Sequence, residues 1–506
     1  MHGSRTSAAF LIAVSLGLLA QTSPAQSNLA HADASTTSTL EQRIDNLSAQ
    51  LAATQAQVEQ SQKELAALRA ELAALKQQSS ASTAPSNKST NRISSSTADK
   101  LNQQAEEQQI LQAEIDQHEQ TKVETESKYA LKIHGLILFN AFSNAGVVDN
   151  PDLPTVALPR RPGTSHGSVG GSIRQTVLGI RATGPHVGGA KTAAELTADF
   201  FGGLSYNFYG STTGDFRLRT ADISASWKRD VLHLGVETPL ISPLSPTSYA
   251  TVAIPSLAWS GNLWTWSPQL RYEHRFTLSA ANSLLLEAGL LDPSVVDVQQ
   301  ESSGRILSAG ELARRPAMEG RVSYHHKLSA HELSVGTGAY TARESYAGGV
   351  DIRTWAVTSD WQLPLTHRLQ LDGEFYRGLG LGALGGGAYK DVIVGVDPVS
   401  GTSRTLGLND IGGWAQFKLH FSSTMEANLA AGQDSGYASD MHRLTLSSAN
   451  NPLETTARTR MIVGNVILRP KTYLIFSPEY RRIMNWQITG SPNVANIFTL
   501  SAGYQF

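Results

Sequence analysis

The chain has 506 residues, with 41 Lys+Arg against 43 Asp+Glu and a formal net charge of −2. This balance excludes a basic nucleic-acid binder held by bulk charge, and equally an acidic solvating chain. The absence of cysteine excludes a disulfide scaffold, a thiol nucleophile and cysteine-ligated metal centres. The longest apolar run is too short to span a bilayer as a helix, but membrane strands need no such run.

Residues 1–25 have the three parts of a secretory signal. Arg5 precedes an apolar stretch over residues 8–20, and small residues precede a cleavage site that we place after Ala25. A buried N-terminal helix is the alternative interpretation. The order of the three parts favours export, so we expect the mature chain to lie outside the cytoplasm.

Residues 38–78 are predicted to form a coiled coil. The segment contains neither Pro nor Gly, and its apolar residues recur at alternating steps of four and three. This is the repeat of a left-handed coiled coil, and it predicts a homo-oligomer. A helix packed on its own domain is the alternative. The apolar positions are Leu40, Ile44, Leu47, Leu51, Val58, Leu65, Leu68, Leu72 and Leu75.

Two shorter segments follow. Residues 79–99 are rich in Ser, Thr, Ala and Asn, which predicts a flexible linker. Residues 100–128 return to a Gln- and Glu-rich pattern that predicts a short helical segment.

From residue 129 onward the apolar pattern has a period of two, which is typical of strands with one apolar and one polar face. The gaps between these strands largely alternate between short turns and long loops. The predicted strands are 129–144, 172–184, 190–203, 215–228, 231–243, 268–277, 283–294, 314–328, 331–346, 351–365, 368–384, 408–423, 425–436, 457–469, 472–489 and 493–506.

An even strand number with alternating gap lengths indicates an all-β fold, a 16-stranded antiparallel transmembrane β-barrel over residues 129–506, preceded by the α-helical coiled coil. A soluble all-β enzyme would also show alternation. The long antiparallel series without an intervening helix, and aromatic residues near strand ends such as Tyr473, Trp486 and Tyr504, favour the membrane barrel. Phe506 is the candidate membrane-insertion terminus. A barrel of this size leaves an aqueous channel.

These features resemble trimeric Gram-negative porins. Leu178–Arg181 with residues 194–203, 216–221 and 233–240 is similar to the second to fifth strands of the DcaP-like porins, which also carry a helical N-terminal extension. The resemblance covers residues 129–506 in architecture, but only the first five strands in motif. It implies a homotrimer in the outer membrane, a plug-free pore narrowed by the third long loop, and passive uptake of small, often anionic, solutes.

Strand parity selects charged residues that we expect to line the pore. The alternative is a solvated lumen in which these ions pair with one another and stiffen the barrel. The arginines suit carboxylates and phosphates, and we expect a subset near the third loop to favour anions. The candidates are Arg181, Arg217, Arg219, Arg271, Glu273, Arg275, Glu319, Arg321, Asp372, Glu374, Glu479 and Arg481.

The predicted third long loop, residues 244–267, is unusually apolar. Residues 238–270 contain no charged side chain, so a cation-selective constriction is not expected there. The constriction-loop candidates are Tyr249, Trp259, Trp264 and Trp266. Inside the pore these rings would stack on sugar faces, whereas at a subunit contact they would be packing.

The sequence predicts no enzyme, cofactor or metal site. Gly378–Gly387 does not lie between a strand and a helix, so it predicts a strand end and a mobile loop rather than a dinucleotide site. The predicted function is a porin for passive diffusion of small hydrophilic, chiefly anionic, solutes. The alternatives are a cell-envelope tether or adhesin with a closed barrel and, less favoured, a barrel hydrolase. Expected partners are outer-membrane lipid and lipopolysaccharide, the barrel-assembly machinery and, through a periplasmic coiled coil, peptidoglycan, but not nucleic acid.

Overall fold

The computed structural model describes residues 130–204, 206–207, 210–211, 214–293, 300–301, 304–305, 307–328, 331–446 and 453–506. The predicted signal peptide, coiled coil, linker and short helical segment, at residues 1–25, 38–78, 79–99 and 100–128, lie outside the described residues and stay predictions. Among the described residues, no helix is long and apolar enough to cross a membrane.

Within the described residues, one antiparallel sheet closes on itself as a barrel of sixteen strands, which confirms the predicted barrel. The second strand consists of two segments that pair with the first strand one after the other. The strands are β1 (Leu131–Ala145), β2 (Gly167–Ser172 and Val177–Val187), β3 (Ala190–Asp199), β4 (Arg217–Ser226), β5 (Asp230–Glu237), β6 (Ser267–Thr277), β7 (Asn282–Leu291), β8 (Ala317–Lys327), β9 (Glu332–Tyr346), β10 (Val350–Pro364), β11 (Leu369–Leu379), β12 (Asn409–Ser422), β13 (Met425–Gly436), β14 (Thr456–Lys471), β15 (Leu474–Gln487) and β16 (Asn493–Gln505).

The first and last strands close the barrel. Their register runs from Leu136 opposite Gln505 to Ala145 opposite Asn496. Phe506 extends the seam, because its backbone N–H and carbonyl exchange hydrogen bonds of 3.0 and 2.9 Å with Gly135. Closure satisfies the backbone groups that an open sheet edge would leave unpaired in lipid.

The two faces of the barrel have the reverse of a soluble protein's polarity. On β1, Ile137 and Phe139 face outward and are 55% and 48% exposed, whereas Asn140 and Asn144 face inward and are buried. The same alternation continues around the sheet. An apolar outer wall and a polar interior are what a lipid bilayer requires of a β-barrel.

Long loops and short turns gather at opposite ends, although β9 and β10 are joined at the long-loop end by the short 3₁₀ turn Ala347–Gly349. The described parts of the loops contain two short helices, α1 (Ala309–Leu312) and α2 (Ala438–Met441). They also contain 3₁₀ turns at Gly382–Leu384 and Gly387–Tyr389. The strand pairs within the loops are Val147–Val148 with Ala157–Leu158, Tyr206–Asn207 with Gly210–Ser211, Gln300–Glu301 with Gly304–Arg305, and Val392–Val396 with Ser403–Gly407.

Several predicted strands end earlier than the pattern indicated, and two of these ends have a backbone cause. The fifth was predicted to reach residue 243, but β5 ends at Glu237, just before Pro239. Proline cannot donate a hydrogen bond to the ladder, and here the chain turns into the barrel. The eleventh was predicted to reach residue 384, but β11 ends at Leu379, before Gly380 with a φ of 72°.

Candidate functional site inside the barrel

The third long loop, residues 238–266, lies inside the barrel and is held there by side chains of the wall. The backbone N–H of Leu240 donates to both carboxylate oxygens of Glu319 on β8, at 3.0 Å each. The N–H of Leu244 donates to Glu374 on β11 at 2.8 Å. These contacts place the first part of the loop against β8 and β11, and not against β5 and β6, the strands that the loop connects.

The rest of the loop continues around the inner wall. The Ser248 hydroxyl donates to Glu479 on β15 at 2.5 Å. Gln175, in the break of β2, accepts from the N–H groups of Val252 and Ala253 at 2.7 and 3.1 Å. The loop therefore contacts the wall from β8 through β15 to β2, and it is not available as a contact between subunits.

This seating explains why the loop carries no charge. Glu319, Glu374 and Glu479, predicted to line the pore, are 6%, 4% and 4% exposed. They accept hydrogen bonds from loop backbone and hydroxyl groups that would otherwise be buried without partners. Their surroundings are those of residues that hold the loop in place, and not those of residues on an open pore wall.

Residues 380–408, the sixth connection at the long-loop end and here called the sixth loop, also fold inward. The N–H groups of Gly387 and Ala388 donate to Asp410 and Asp434 at 2.7 and 2.6 Å. Leu384 is buried, and its carbonyl accepts from Trp264 at 2.8 Å. The prediction of a mobile Gly-rich loop is wrong, because these glycines allow a close approach to the wall: a Cβ on Gly386 would lie 2.8 Å from Asp410 Oδ2.

The three loop tryptophans form one aromatic group with Tyr389 of the sixth loop. Ring centroids are 5.4 Å apart for Trp259 and Trp264, and 5.6 Å for Trp264 and Trp266, in both cases edge to face. Trp259 stacks on Tyr389 at 5.4 Å. Edge-to-face packing is favourable between aromatic side chains, and here it joins two loops. Tyr249 lies apart, with its ring centroid 5.9 Å from the Arg469 guanidinium.

Arg217 and Arg219 of β4 lie beside this aromatic group and share one acid. Both bond Asp199, which is fully buried, at 2.6 and 3.4 Å. Both guanidinium groups also lie over the Trp266 ring, 5.0 and 4.9 Å from its centroid. We call Arg217, Arg219, Asp199 and Trp266 the arginine–tryptophan cluster. Two cations against one anion leave it with a single net positive charge.

The register places eleven of the twelve predicted side chains on the inner face, and the contact with Asp199 places Arg219 there too, beside a bulge. Most of those not yet described have ionic partners. Their role in solute passage stays a prediction. Arg321 bridges Glu287 and Asp360, and Arg481 lies 3.2 Å from Glu479. Arg271 contacts Glu237 and Glu273, Arg181 contacts Glu195 at 3.6 Å, and Asp372 contacts Lys418 at 2.8 Å. Arg275 donates to Ser283 at 3.1 Å.

Within the part of the chain that the structure describes, one group of potential metal ligands lies on the same face. Ligand atoms of Asp222, His233 and Glu237 all lie within 4.8 Å of one another. Arg271 is 3.6 Å from Glu237, and His233 bonds Asp222 at 3.0 Å. The group is therefore already part of an ion-pair network.

Sequence reasoning missed the neutral and basic residues that hold the loops. Gln175 and Gln416 accept from loop N–H groups, and Asn465 donates to the Thr247 carbonyl at 2.9 Å. In the sequence, each of these residues is only an amide at an inward position. Alternation alone does not show whether such an amide bonds a loop or faces water. Lys390 was also missed, because it lies in the loop that was predicted to be mobile.

Lys390 fastens the sixth loop from within. Its ammonium donates to the carbonyls of Ala388, Leu453 and Thr456 at 2.9, 3.1 and 2.7 Å. Burial lowers the pKa of Lys390 to about 8, although the carboxylates of Glu454, Asp434 and Asp410 partly offset the effect. The seated loop therefore binds a proton less tightly at this side chain than a released loop would.

Comparisons with known proteins identify the fold. No family model matches the chain, and no curated protein matches it. The crystal structure of the outer membrane channel DcaP of Acinetobacter baumannii matches with a TM-score of 0.55 and 14% identity, over 76% of this chain and 100% of that one. The chain has the fold of this channel. The anion-selective porin from Comamonas acidovorans matches with a TM-score of 0.48 and 12% identity, over 75% of this chain and 100% of that one. The predicted resemblance to DcaP-like porins is thus confirmed for the fold.

Replacing Gly261 should unseat the third loop. Its φ is 105°, and a Cβ would lie 2.1 Å from the Gly413 carbonyl oxygen of the wall. Gly490 has a similar φ of 95° with nothing within 4 Å, so Gly490→Ala isolates the backbone strain. We expect Gly490→Ala to cost about 1 kcal/mol and Gly261→Ala about 1–3 kcal/mol more, measured by urea unfolding of the refolded barrel. Equal losses would show that the loop does not rest on Gly413.

Removing Arg321 should destabilise the barrel strongly. Arg321→Met leaves Glu287 and Asp360 buried without their cation, a change that costs about 3–5 kcal/mol in comparable cases. Arg343→Met is the matched control, because Arg343 pairs with Asp351 where both side chains are over 40% exposed. We expect little change in the control, measured by the same unfolding assay. Similar losses in both variants would contradict the buried bridge.

The seating of the sixth loop should strengthen as the pH rises. Because the pKa of Lys390 is about 8 in the seated loop and ordinary in a released one, the released loop binds more protons above pH 8. Between pH 7 and 9 the seated loop should become more stable than the released loop by about 1 kcal/mol. The expected readout is a decrease in open-channel current noise. Lys390→Met should abolish this dependence, and the same pH step in that variant would refute its origin in Lys390.

Proposed function

We propose that this protein is an outer-membrane porin for passive diffusion of small hydrophilic solutes, anionic ones foremost. The polar interior and apolar outer wall support a membrane channel, and the shared fold with DcaP supports an outer-membrane location. The proposal includes no catalytic step, cofactor or metal ion. Passage depends on pore width, lining charge and water.

The arginine–tryptophan cluster carries the proposal of anion preference. Residues 238–266 of the third loop contribute no charge, and Glu319, Glu374 and Glu479 accept loop hydrogen bonds at the wall. Beside the loop, the arginine–tryptophan cluster carries a local positive excess, because Arg217 and Arg219 share the single acid Asp199. The side chain of Arg219 is 16% exposed and that of Arg217 25%, so neither is fully buried. A guanidinium in that position favours carboxylates and phosphates.

Homo-oligomer formation, as a trimer, is proposed through the outer wall of β2–β5. Strand β5 has 8 residues, fewer than the roughly 9–11 that a strand needs to cross a bilayer. Small side chains leave an apolar groove on this wall between larger ones; it is lined by Ile180, Ala182, Ala194, Leu196, Ala221, Ile223, Leu234 and Val236. A second copy would cover the short strand more completely than lipid. The coiled coil at residues 38–78 would clamp the oligomer in the periplasm or reach the cell wall.

One observation keeps the second candidate, a tether or adhesin with a closed barrel, beside the first. The third and sixth loops pack on each other through Ile241, Leu263, Leu381 and Leu384, all nearly inaccessible to solvent. Such packing narrows the interior. It fits a channel with a constriction and equally a barrel closed at rest.

Single-channel recording separates these functions. The mature protein in a planar bilayer under a salt gradient should conduct in steps of three, with an anion-favouring reversal potential. Membranes that stay silent although the barrel is folded and inserted would favour the tether.

Arg219→Gln tests the source of the anion preference. It removes one net charge while Arg217 still neutralises Asp199, so the reversal potential should move toward that of a non-selective pore. Arg368→Gln, at a short turn, makes the same charge change away from the cluster and should have no effect. An unchanged reversal potential in Arg219→Gln would contradict the assignment.

A further inference from the structure

The outer wall carries a second group of arginines, which face away from the pore. In the described strands, arginines on the outward face lie toward the long-loop end: Arg343, Arg353, Arg377, Arg458, Arg460 and Arg482. Asp351 is the acid that pairs with one of them, Arg343. Near the short turns, the outward face instead presents aromatic rings such as Tyr272, Phe276, Tyr473 and Tyr504.

Arg458, Arg460 and Arg482 form a compact group, which we call the outer arginine patch. Arg460 on β14 lies opposite Met484 on β15, and Arg482 lies opposite Ile462, so the register places Arg460 and Arg482 as diagonal neighbours. Diagonal neighbours in a sheet have Cα atoms about 7–8 Å apart. Arg458 is two residues before Arg460 and shares its face. The three side chains therefore lie on one face of two neighbouring strands, with Arg460 between Arg458 and Arg482.

The patch lacks an acid of its own. Among the described residues, no carboxylate lies within the 4.0 Å ion-pair distance of these three arginines. Their partners are neutral: Arg460 donates to Gln433 at 2.5 and 3.0 Å, and Arg482 donates to Asn496 at 3.4 Å. In contrast, most inward arginines face carboxylates. Three neighbouring cations without an anion repel one another unless an external anion binds them.

The depth of the patch fits a headgroup rather than the lipid interior. Arg458 and Arg460 are the third and fifth residues of β14, which begins at the long-loop end. At about 3.3 Å per residue and a tilt near 45°, both lie within roughly 10 Å of that strand end. An exposed arginine is costly at the bilayer midplane and tolerated near the interface. Trp486, whose ring centroid is 5.4 Å from the Arg460 guanidinium, is typical of that depth.

We propose that the outer arginine patch binds the phosphate groups of a phosphorylated glycolipid in the outer leaflet. The planar guanidinium donates two parallel hydrogen bonds to phosphate oxygens, and the neighbouring amides of Gln433 and Asn496 add neutral donors. The acyl chains of such a lipid would cover the apolar wall below, where Ile462 and Leu468 are 36% and 38% exposed. The site is distinct from the pore, and the proposal uses the outer-membrane location but not conduction.

The test measures binding of the purified full chain, in detergent, to fluorescent bisphosphorylated lipid A. The variant Arg458→Gln/Arg460→Gln/Arg482→Gln should bind at least about tenfold more weakly than wild type, because it loses the charge-assisted hydrogen bonds of the patch. The control Arg229→Gln/Arg368→Gln/Lys471→Gln makes the same charge change at the short-turn end, and it should bind like wild type. An equal affinity of the patch variant and wild type would overturn the site.

Two further arms identify the ligand and guard against misfolding. Lipid A without its phosphates should bind wild type and patch variant equally weakly, and tight binding of it by wild type would refute phosphate recognition. Inorganic phosphate should compete poorly; efficient competition would assign the patch to free phosphate instead of a lipid. The patch variant must retain wild-type conductance and heat-modifiable migration. If it does not, Arg458→Gln and Arg482→Gln are measured singly, and wild-type affinity in both would overturn the proposal.

Discussion

The interior of this barrel depends on hydrogen bonds between an uncharged loop and carboxylates of the wall. A loop of this length inside a protein carries many backbone N–H groups with no strand to pair with, and burying them unpaired would be costly. Glu319 and Glu374 accept from the N–H groups of Leu240 and Leu244, and Glu374 also accepts from the Ser242 hydroxyl at 2.6 Å. Without the loop, these inward acids would stand on open wall with few donors nearby. The loop and the acids therefore need each other, and the shape of the lumen follows from their pairing.

This pairing decides which charges remain to act on a solute. Counting charged residues gives almost no net charge, and strand parity alone gives a lumen of mixed sign. The structure separates the acids that hold a loop, such as Glu374, from ions whose side chains are not fully buried, such as Arg219. The excess positive charge in the arginine–tryptophan cluster exists because one buried aspartate serves two arginines. The charge that a solute meets must therefore be assessed partner by partner rather than from the total charge of the chain.

The strands were predictable because the period of two is a local property of the sequence. The same parity placed all twelve charged candidates on the inner face. Parity could not identify the partners of these side chains. Alternation predicts which face of the sheet a side chain lies on, but neither its depth in the barrel nor the residues distant in sequence that it contacts. Glu479 bonds Ser248 across 231 residues of sequence, and Arg321 bonds Asp360 across a separation of 39. The Gly-rich segment of the sixth loop was misjudged for a related reason: glycine marks backbone freedom in a mobile loop and close packing in a buried one, and only the surroundings of Gly386 distinguish them.

Arginine side chains have opposite surroundings on the inner and outer faces of the barrel wall. An inward arginine such as Arg321 lies between strands whose inward positions also carry acids, so the chain itself neutralises it. An outward arginine such as Arg460 has apolar residues and amides beside it, because an acid on that face would have to be desolvated next to lipid. The membrane interface must then provide the missing anion, and it does so at the depth where headgroups lie. Arginines inside the barrel are thus neutralised by acids of the same chain, whereas arginines on the outer face are neutralised by anions of the membrane interface.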